Sequence, residues 1–222
     1  MRIFIVIPLH NEEEHIEYVL KSVAKYKLSI VVVEDGSVDN SKLKIKKLGI
    51  KNLTLLEHGV NLGKGAAMKT GAEYAFKKGA AAIIFMDSDG QHIASDLGKF
   101  VDNLEGNKND IVLGSRNFRT QAPFIRFVGN KVASTIMRLF FGIDVSDILC
   151  GFRGITKKAY KKVSWESSGY GVETEILARA SKEKLKLVEV PIETIYHDPT
   201  KGVTILDAFG VFGEVVKWRL TI

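Results

Sequence analysis

Apolar residues along this chain gather in short runs, and most runs end on a polar cluster. Residues 2–7 are apolar and rich in β-branched side chains, which predicts a buried strand ended by Pro8. Asn11 then reads as a helix N-cap, with Glu12, Glu13 and Glu14 in a first turn where acids suit the helix dipole. That helix runs to about Lys25. Further strands are predicted over residues 29–33, 53–57, 81–86, 110–114 and 187–190. Helical spacing marks residues 39–47, a segment from the glycine-rich 61–65 loop to Lys78, and residues 96–105, 157–163 and 171–181. Residues 142–154 read as loop.

Strand and helix alternate through the first half, which predicts an α/β fold with a Rossmann-like, mostly parallel sheet between helices. Ligands on such sheets sit beyond the carboxyl ends of the strands, where the polar clusters fall. No repeat or linker divides the chain, so residues 1–222 read as one domain. From Phe124 the texture changes. Residues 124–142 carry Phe124, Phe127 and Phe140 with Arg126, Lys131 and Arg138 between them. At the C-terminal end, Ile205, Phe209, Phe212, Val216 and Leu220 recur at helical spacing, before and around a Lys217-Trp218-Arg219 cluster. This amphipathic segment suits a membrane interface or a core-packing helix.

With 222 residues, 45% of them apolar, the chain can bury a real core. The net charge of +6 favours anionic partners, whether phosphates, nucleic acid or an acidic membrane face. A single cysteine, Cys150, excludes an internal disulfide and fits a reducing compartment. The N-terminus does not read as a signal peptide, and no apolar run approaches the ~20 residues that span a bilayer. A lipid-directed activity would therefore work from the membrane surface.

Asp87-Ser88-Asp89 is the strongest chemical signal. Two carboxylates one residue apart at a strand end can share a hard cation, with phosphate oxygens and water completing its shell. Gln91 or His92 could join them; a plain surface turn is the alternative. Asp35 follows the second strand, where an acid binds a ribose or base, or else caps a helix. Glu12 is a ligand or a first-turn acid. Asn61-Leu62-Gly63-Lys64-Gly65 resembles a phosphate cradle without matching a P-loop, or is a glycine turn before a helix. Arg116 ends a strand on the same edge, where its fork suits a phosphate. Arg126 and Lys131 hold a phosphate or snorkel from a core helix. Asp147 could be a base or an acceptor-side ligand, and Lys201 could close over a diphosphate or sit in a solvated loop. Cys150 has no basic neighbour and reads as packing. His10, His15 and His58 lack zinc spacing.

Taken in order, these motifs resemble glycosyltransferase family 2, and within it the dolichyl-phosphate and polyprenyl-phosphate sugar synthases. The resemblance rests on Ile7-Pro8-Leu9-His10-Asn11-Glu12, Val33-Glu34-Asp35-Gly36-Ser37-Val38-Asp39, the 61–65 loop, Met86-Asp87-Ser88-Asp89-Gly90-Gln91-His92, Gly114-Ser115-Arg116 and Asp147-Ile148-Leu149-Cys150-Gly151-Phe152-Arg153. Tyr170-Gly171-Val172-Glu173-Thr174-Glu175 and Val188-Glu189-Val190-Pro191-Ile192 extend it.

The resemblance implies a GT-A fold, with residues 1–116 as a nucleotide-sugar half and 117–222 as an acceptor half. It implies that Pro8, Glu12 and Asp35 line the nucleoside pocket. Asp87, Asp89 and Gln91 would bind Mg²⁺ or Mn²⁺. Arg116, Lys131 and Ser134 would hold a lipid phosphate, and Lys64 and Lys201 the donor. Asp89, Arg116 and Asp147 would be catalytic. The implied partners are a nucleotide-sugar donor, a polyprenyl or dolichyl phosphate and the cytoplasmic membrane face, with no nucleic acid and room for a homo-oligomer. The donor stays open among GDP-mannose, UDP-glucose and UDP-N-acetylhexosamine. A soluble glycan or protein acceptor and a non-catalytic nucleotide-sugar-binding module are the rival readings.

Overall fold

The computed structural model of the chain describes residues 1–116, 124–169, 171–195 and Trp218. The strands are β1 (Ile3–Leu9), β2 (Ser29–Asp35), β3 (Leu53–His58), β4 (Ala82–Phe85), β5 (Ile111–Arg116), β6 (Arg153–Thr156) and β7 (Leu187–Ile192). The helices are α1 (Ile16–Ala24), α2 (Ser41–Lys47), α3 (Lys64–Lys77), α4 (Leu97–Leu104), α5 (Phe124–Phe141), α6 (Lys157–Val163) and α7 (Val172–Lys182).

The strands form one sheet in the order β3-β2-β1-β4-β6-β5-β7. All the ladders are parallel except those of β6, which runs antiparallel to both β4 and β5. The sequence pattern predicted a loop up to Gly154 and no strand at β6. Arg-Gly-Ile-Thr is too short and too mixed to show a period of two, and its place between two strands comes from tertiary pairing. Because β6 opposes both neighbours, β4 and β5 still point the same way. Their carboxyl ends, and those of β1, β2 and β3, therefore share one edge.

The alternation of side chains along each strand divides the core into two layers. Phe4 and Val6 of β1 pack with Ala67, Met68, Ala72 and Ala75 of α3 and with apolar residues of α6 and α7. Ile3, Ile5 and Ile7 face the other way, onto Ile16, Val19 and Leu20 of α1 and Leu97 and Phe100 of α4. Each fully buried aliphatic side chain contributes about 1.5–3 kcal/mol, so this double layer anchors the strand ends firmly.

Two local expectations change. Pro8 does not end β1; it lies in register with Val33 of β2. The ladder from β1 to β4 stops at Val6, so Pro8 has a partner strand on the β2 side alone and its missing N–H disrupts little. Asn11 does not cap α1. It adopts a left-handed φ of 52°, and its Oδ1 accepts from Val38 N at 2.8 Å. Its side chain thus staples the β1–α1 loop to the β2–α2 loop.

The C-terminal amphipathic segment lies outside the described residues apart from Trp218, which is 6% exposed and joins the α3/α6/α7 core layer. That one side chain packs on protein, as the core-packing alternative for this segment expected.

Candidate active site

Asp35, at the end of β2, is 2% exposed. Its Oδ1 accepts from Leu62 N at 2.9 Å and lies 2.7 Å from His58 Nδ1, while Oδ2 accepts from Gly63 N at 2.8 Å. Most of its acceptor capacity is spent on the β3–α3 loop. The structure therefore makes Asp35 the organiser of the expected nucleoside pocket, with little of it left facing a ligand. Its backbone carbonyl accepts from His10 Nδ1 at 2.8 Å. His10 Nε2 faces Nδ2 of Asn11 and Nδ2 of Asn61, each at 3.0 Å. The orientation of both amides is fixed, because Oδ1 of Asn11 accepts from Val38 N and Oδ1 of Asn61 from Gly63 N. His10 thus carries its hydrogen on Nδ1 and accepts at Nε2. Two of the histidines that showed no metal spacing, His10 and His58, thus tie neighbouring loops together. Pro8 is buried within β1, and Glu12 N donates to Ser41 Oγ at 3.1 Å.

The 61–65 loop is not a phosphate cradle. The N–H groups of Leu62 and Gly63 go to Asp35, and those of Gly65 and Ala66 donate to Ser168 O at 2.6 and 3.2 Å. Gly65 is required by close approach, since a Cβ there would stand 2.1 Å from Ser167 O. Trp165 Nε1 also donates to Gly65 O at 2.9 Å. The backbone held in this way sends the Lys64 side chain inward.

Lys64 Nζ lies 2.7 Å from Asp87 Oδ1 and 2.8 Å from Glu173 Oε1. Burial alone would tend to discharge the amine, but the two carboxylates outweigh it and hold the ammonium well above its usual range. Burial likewise opposes a charge on Asp87. Lys64 and His92 overcome it and keep that carboxyl far below the ordinary range. His92 Nε2 stands 3.4 Å from Asp87 Oδ2, and its Nδ1 is buried without a hydrogen-bond partner. Asp89 is half-buried, and its Oδ1 accepts from Gln91 N at 3.0 Å.

Among the described residues no group of three or more His, Cys, Asp or Glu side chains forms a ready cation cage. The donor set still fits Mg²⁺ or Mn²⁺. Asp87 and Asp89 are hard oxygen donors at one strand end, and such ions take one or two carboxylates and draw the rest of their shell from phosphate and water.

Arg116, at the end of β5, grips Asp147 with Nε to Oδ2 at 2.6 Å and Nη2 to Oδ1 at 2.9 Å. Its backbone N adds a third donor to Oδ2 at 3.1 Å. Asp147 is 1% exposed. As a base it would first have to release this fork; the geometry instead makes it the anchor of the guanidinium plane. Glu189 of β7 accepts from Ser146 N and Asp147 N, and Asn130 of α5 donates to Ser146 O at 2.6 Å. Ser134 Oγ reaches the same carbonyl at 3.4 Å, while Lys131 is exposed on α5. Arg116 and Ser134 thus meet at one loop, with Lys131 a turn away. Lys201 lies outside the described residues, as do the side chains of Phe124, Arg126 and Phe127.

The same loop ends against the acid pair. A Cβ on Gly151 would stand 2.2 Å from Asp87 Oδ2, so only glycine lets the 147–151 segment back onto that carboxylate. Arg153 is 1% exposed and donates to the carbonyls of Ile148, Cys150 and Glu173, so it is an internal staple. Cys150 is no nucleophile; burial and then Asp147 push its thiol up to about 12.

Residues 4–164 match the family described as Glycosyl transferase family 2. The chain belongs to that family. The transferase is 31% identical to the UDP-N-acetylglucosamine–dolichyl-phosphate N-acetylglucosaminyltransferase of Methanococcus voltae, over 98% of this chain and 96% of that one. It is 27% identical to the undecaprenyl-phosphate mannosyltransferase of Micrococcus luteus, over 99% and 95%. These relatives place the transferase with the polyprenyl-phosphate sugar synthase type. Glucosyl-3-phosphoglycerate synthase from Mycobacterium tuberculosis, solved with Mn²⁺, uridine diphosphate and phosphoglyceric acid, superposes with a TM-score of 0.76 at 19% identity, over 99% of this chain and 77% of that one. The transferase therefore has the GT-A fold.

Sequence reasoning missed Asn130 and gave no role to Gly151, Glu173 or Glu189, although these three stand in the motifs that carry the resemblance. Glu173 carried a signal: acids at 173 and 175 open an otherwise apolar helix, and both are buried. Asn130 carried none, and the role of Glu189 was hidden, because each acts on backbone groups far away in the chain.

Proposed function

We propose that the transferase moves a hexose from a nucleotide diphosphate to a polyprenyl phosphate at a membrane surface. One observation carries the reading: Gly151, on the loop that begins with Asp147, backs onto Asp87, which ties the segment holding Arg116 to the acid pair; we read the first as the side of a phosphorylated acceptor and the second as the side of a diphosphate donor. Residues 1–116 form the donor half and 117–222 the acceptor half.

Arg116, with its plane fixed by Asp147, holds the lipid phosphate together with Lys131 and Ser134. A phosphate oxygen attacks the anomeric carbon as the bond from that carbon to the diphosphate breaks, with inversion. A phosphate monoester is largely ionised at neutral pH, so the step needs no strong base. Catalysis is then positioning and charge neutralisation. Asp89, Asp87 and Gln91 would hold Mg²⁺ or Mn²⁺, which would supply positive charge against the departing diphosphate. Pro8, Glu12 and the Asp35 network shape the nucleoside pocket, and Lys201 contacts the donor. UDP-N-acetylglucosamine is the first donor to test, because it is the donor named for the Methanococcus voltae relative. Action from the membrane surface agrees with the absence, among the described residues, of any helix long and apolar enough to cross a membrane. The surface involved is the cytoplasmic one, where nucleotide sugars are available.

The test is nucleotide release from UDP- and GDP-sugars with Mn²⁺, with and without polyprenyl phosphate. Release should require metal and lipid, and the sugar should move into the organic phase. Asp89→Ala should lower turnover at least about a thousandfold, in line with the loss of a key electrostatic group. Full activity in that variant, or lipid-independent transfer by the wild type, would overturn the reading.

A further inference from the structure

Lys64 raises a problem for the metal site. Its ammonium is the direct partner of Asp87, the first carboxylate of the acid pair, and it is held equally closely by Glu173. The three groups come from separate elements: Lys64 opens α3, Asp87 follows β4 and Glu173 lies in the first turn of α7. None of them is free to drift. The glycines on both sides of Lys64 are pinned to Asp35 and to Ser168, and Glu173 is 3% exposed. Glu175, one turn-edge further, accepts from the N–H groups of Glu166 and Ser167 and fixes the segment that carries Ser168.

A half-buried cation shared between two carboxylates can be passed wholly to one of them with little motion. We propose that Lys64 is a resident cation that occupies Asp87 until a divalent ion arrives, and that Glu173 is the positioning residue that then takes the ammonium over. In the resting site Lys64 neutralises Asp87, so the empty acid pair is not left as adjacent uncompensated charges. On metal binding Asp87 turns to the ion and Lys64 rests on Glu173 alone. No covalent bond changes and no proton moves. Glu173 contacts neither metal nor substrate in this scheme; it acts through Lys64.

The inference rests on the proposed function only in placing a divalent ion at Asp89. Its test reads metal affinity, so it can fail separately from a test of turnover. Mn²⁺ is titrated into the full chain without nucleotide, and free Mn²⁺ is followed by electron paramagnetic resonance. Removing one unit charge beside the ion changes its binding by about tenfold or more at protein dielectric values. Lys64→Met should therefore bind Mn²⁺ about tenfold more tightly than the wild type, because the competitor is gone. Glu173→Gln should bind it about tenfold more weakly, because Lys64 has nowhere else to go. The double variant should bind Mn²⁺ as tightly as Lys64→Met, because Glu173 acts only through Lys64.

Thermal denaturation provides a second reading. Lys64→Met should unfold at lower temperature without metal and be restored by Mn²⁺ more than the wild type is. Unchanged or weaker Mn²⁺ binding in Lys64→Met overturns the proposal. Should that variant not fold, Glu173→Gln decides alone: wild-type Mn²⁺ affinity there overturns the proposal, and weaker binding supports it.

Discussion

Arg116 and Asp147 show how far one residue's role depends on its partner. A lone arginine at a strand end could bind any anion, but here two parallel donors and a backbone N–H lock it to a buried carboxylate. Charge-assisted bonds of this kind contribute roughly 1.5–3 kcal/mol each, and the fork fixes a plane that an ammonium cannot reproduce. Arg116→Lys should leave one Asp147 oxygen short of a donor and lower turnover on polyprenyl phosphate by about a hundredfold. Donor binding, measured by nucleotide titration, should hardly change. Equal losses on both sides would mean that Arg116 serves the fold and not the acceptor. Lys64 makes the opposite point: its sequence neighbourhood suggested phosphate, and the structure gives it two carboxylates.

At the level of elements, the strands and helices of the first half were legible, because parallel strands buried on both faces read as apolar runs. The acid pair after β4 was legible for the same reason, since a polar cluster stands out where an apolar run stops. What stayed hidden was set by tertiary contact. β6 has Arg153, Gly154 and Thr156 in four residues, and it is a strand because β4 and β5 flank it. The 61–65 glycines looked like room for a ligand, but Gly65 gives room to the backbone of Ser167. Gly151 belongs to the same class. Gly151→Ala would drive a methyl group into the Asp87 carboxylate, and such overpacking costs about 1–3 kcal/mol. The expected result is a modest fall in melting temperature with a much larger fall in turnover, because the displaced group is Asp87. A variant that loses stability and activity in proportion would argue that Gly151 is only a packing glycine.

Across the whole molecule, β6, β5 and β7 continue the sheet beyond β4, so that the loop holding Asp147 and Gly151 is anchored in the same sheet as the acid pair. Buried carboxylates then bind the layers to one another: Asp35 to the β3–α3 loop, Asp147 to β5, Glu173 to α3 and Glu175 to the 166–167 segment. Such an architecture is exposed to acid. Burial opposes ionisation of Glu175, but Ser167, the Glu166 N–H and Arg179 together outweigh it and lower its pKa. A carboxyl lowered in the folded state favours folding at pH values above its unfolded value of about 4.3, and that contribution is lost as pH falls through the folded value. Glu175→Gln keeps the shape and removes the charge, so it should cost about 2–3 kcal/mol at neutral pH, as the loss of charged hydrogen bonds and a buried partner for Arg179 requires. Denaturant unfolding should show that deficit constant from about pH 6 to 8 and shrinking below about pH 4.3, where the unfolded wild-type carboxyl starts to bind a proton, until the folded carboxyl is protonated as well. A deficit that stays the same down to pH 3 would mean that Glu175 contributes through its shape, and that the hold of α7 on the glycine loop does not depend on its charge.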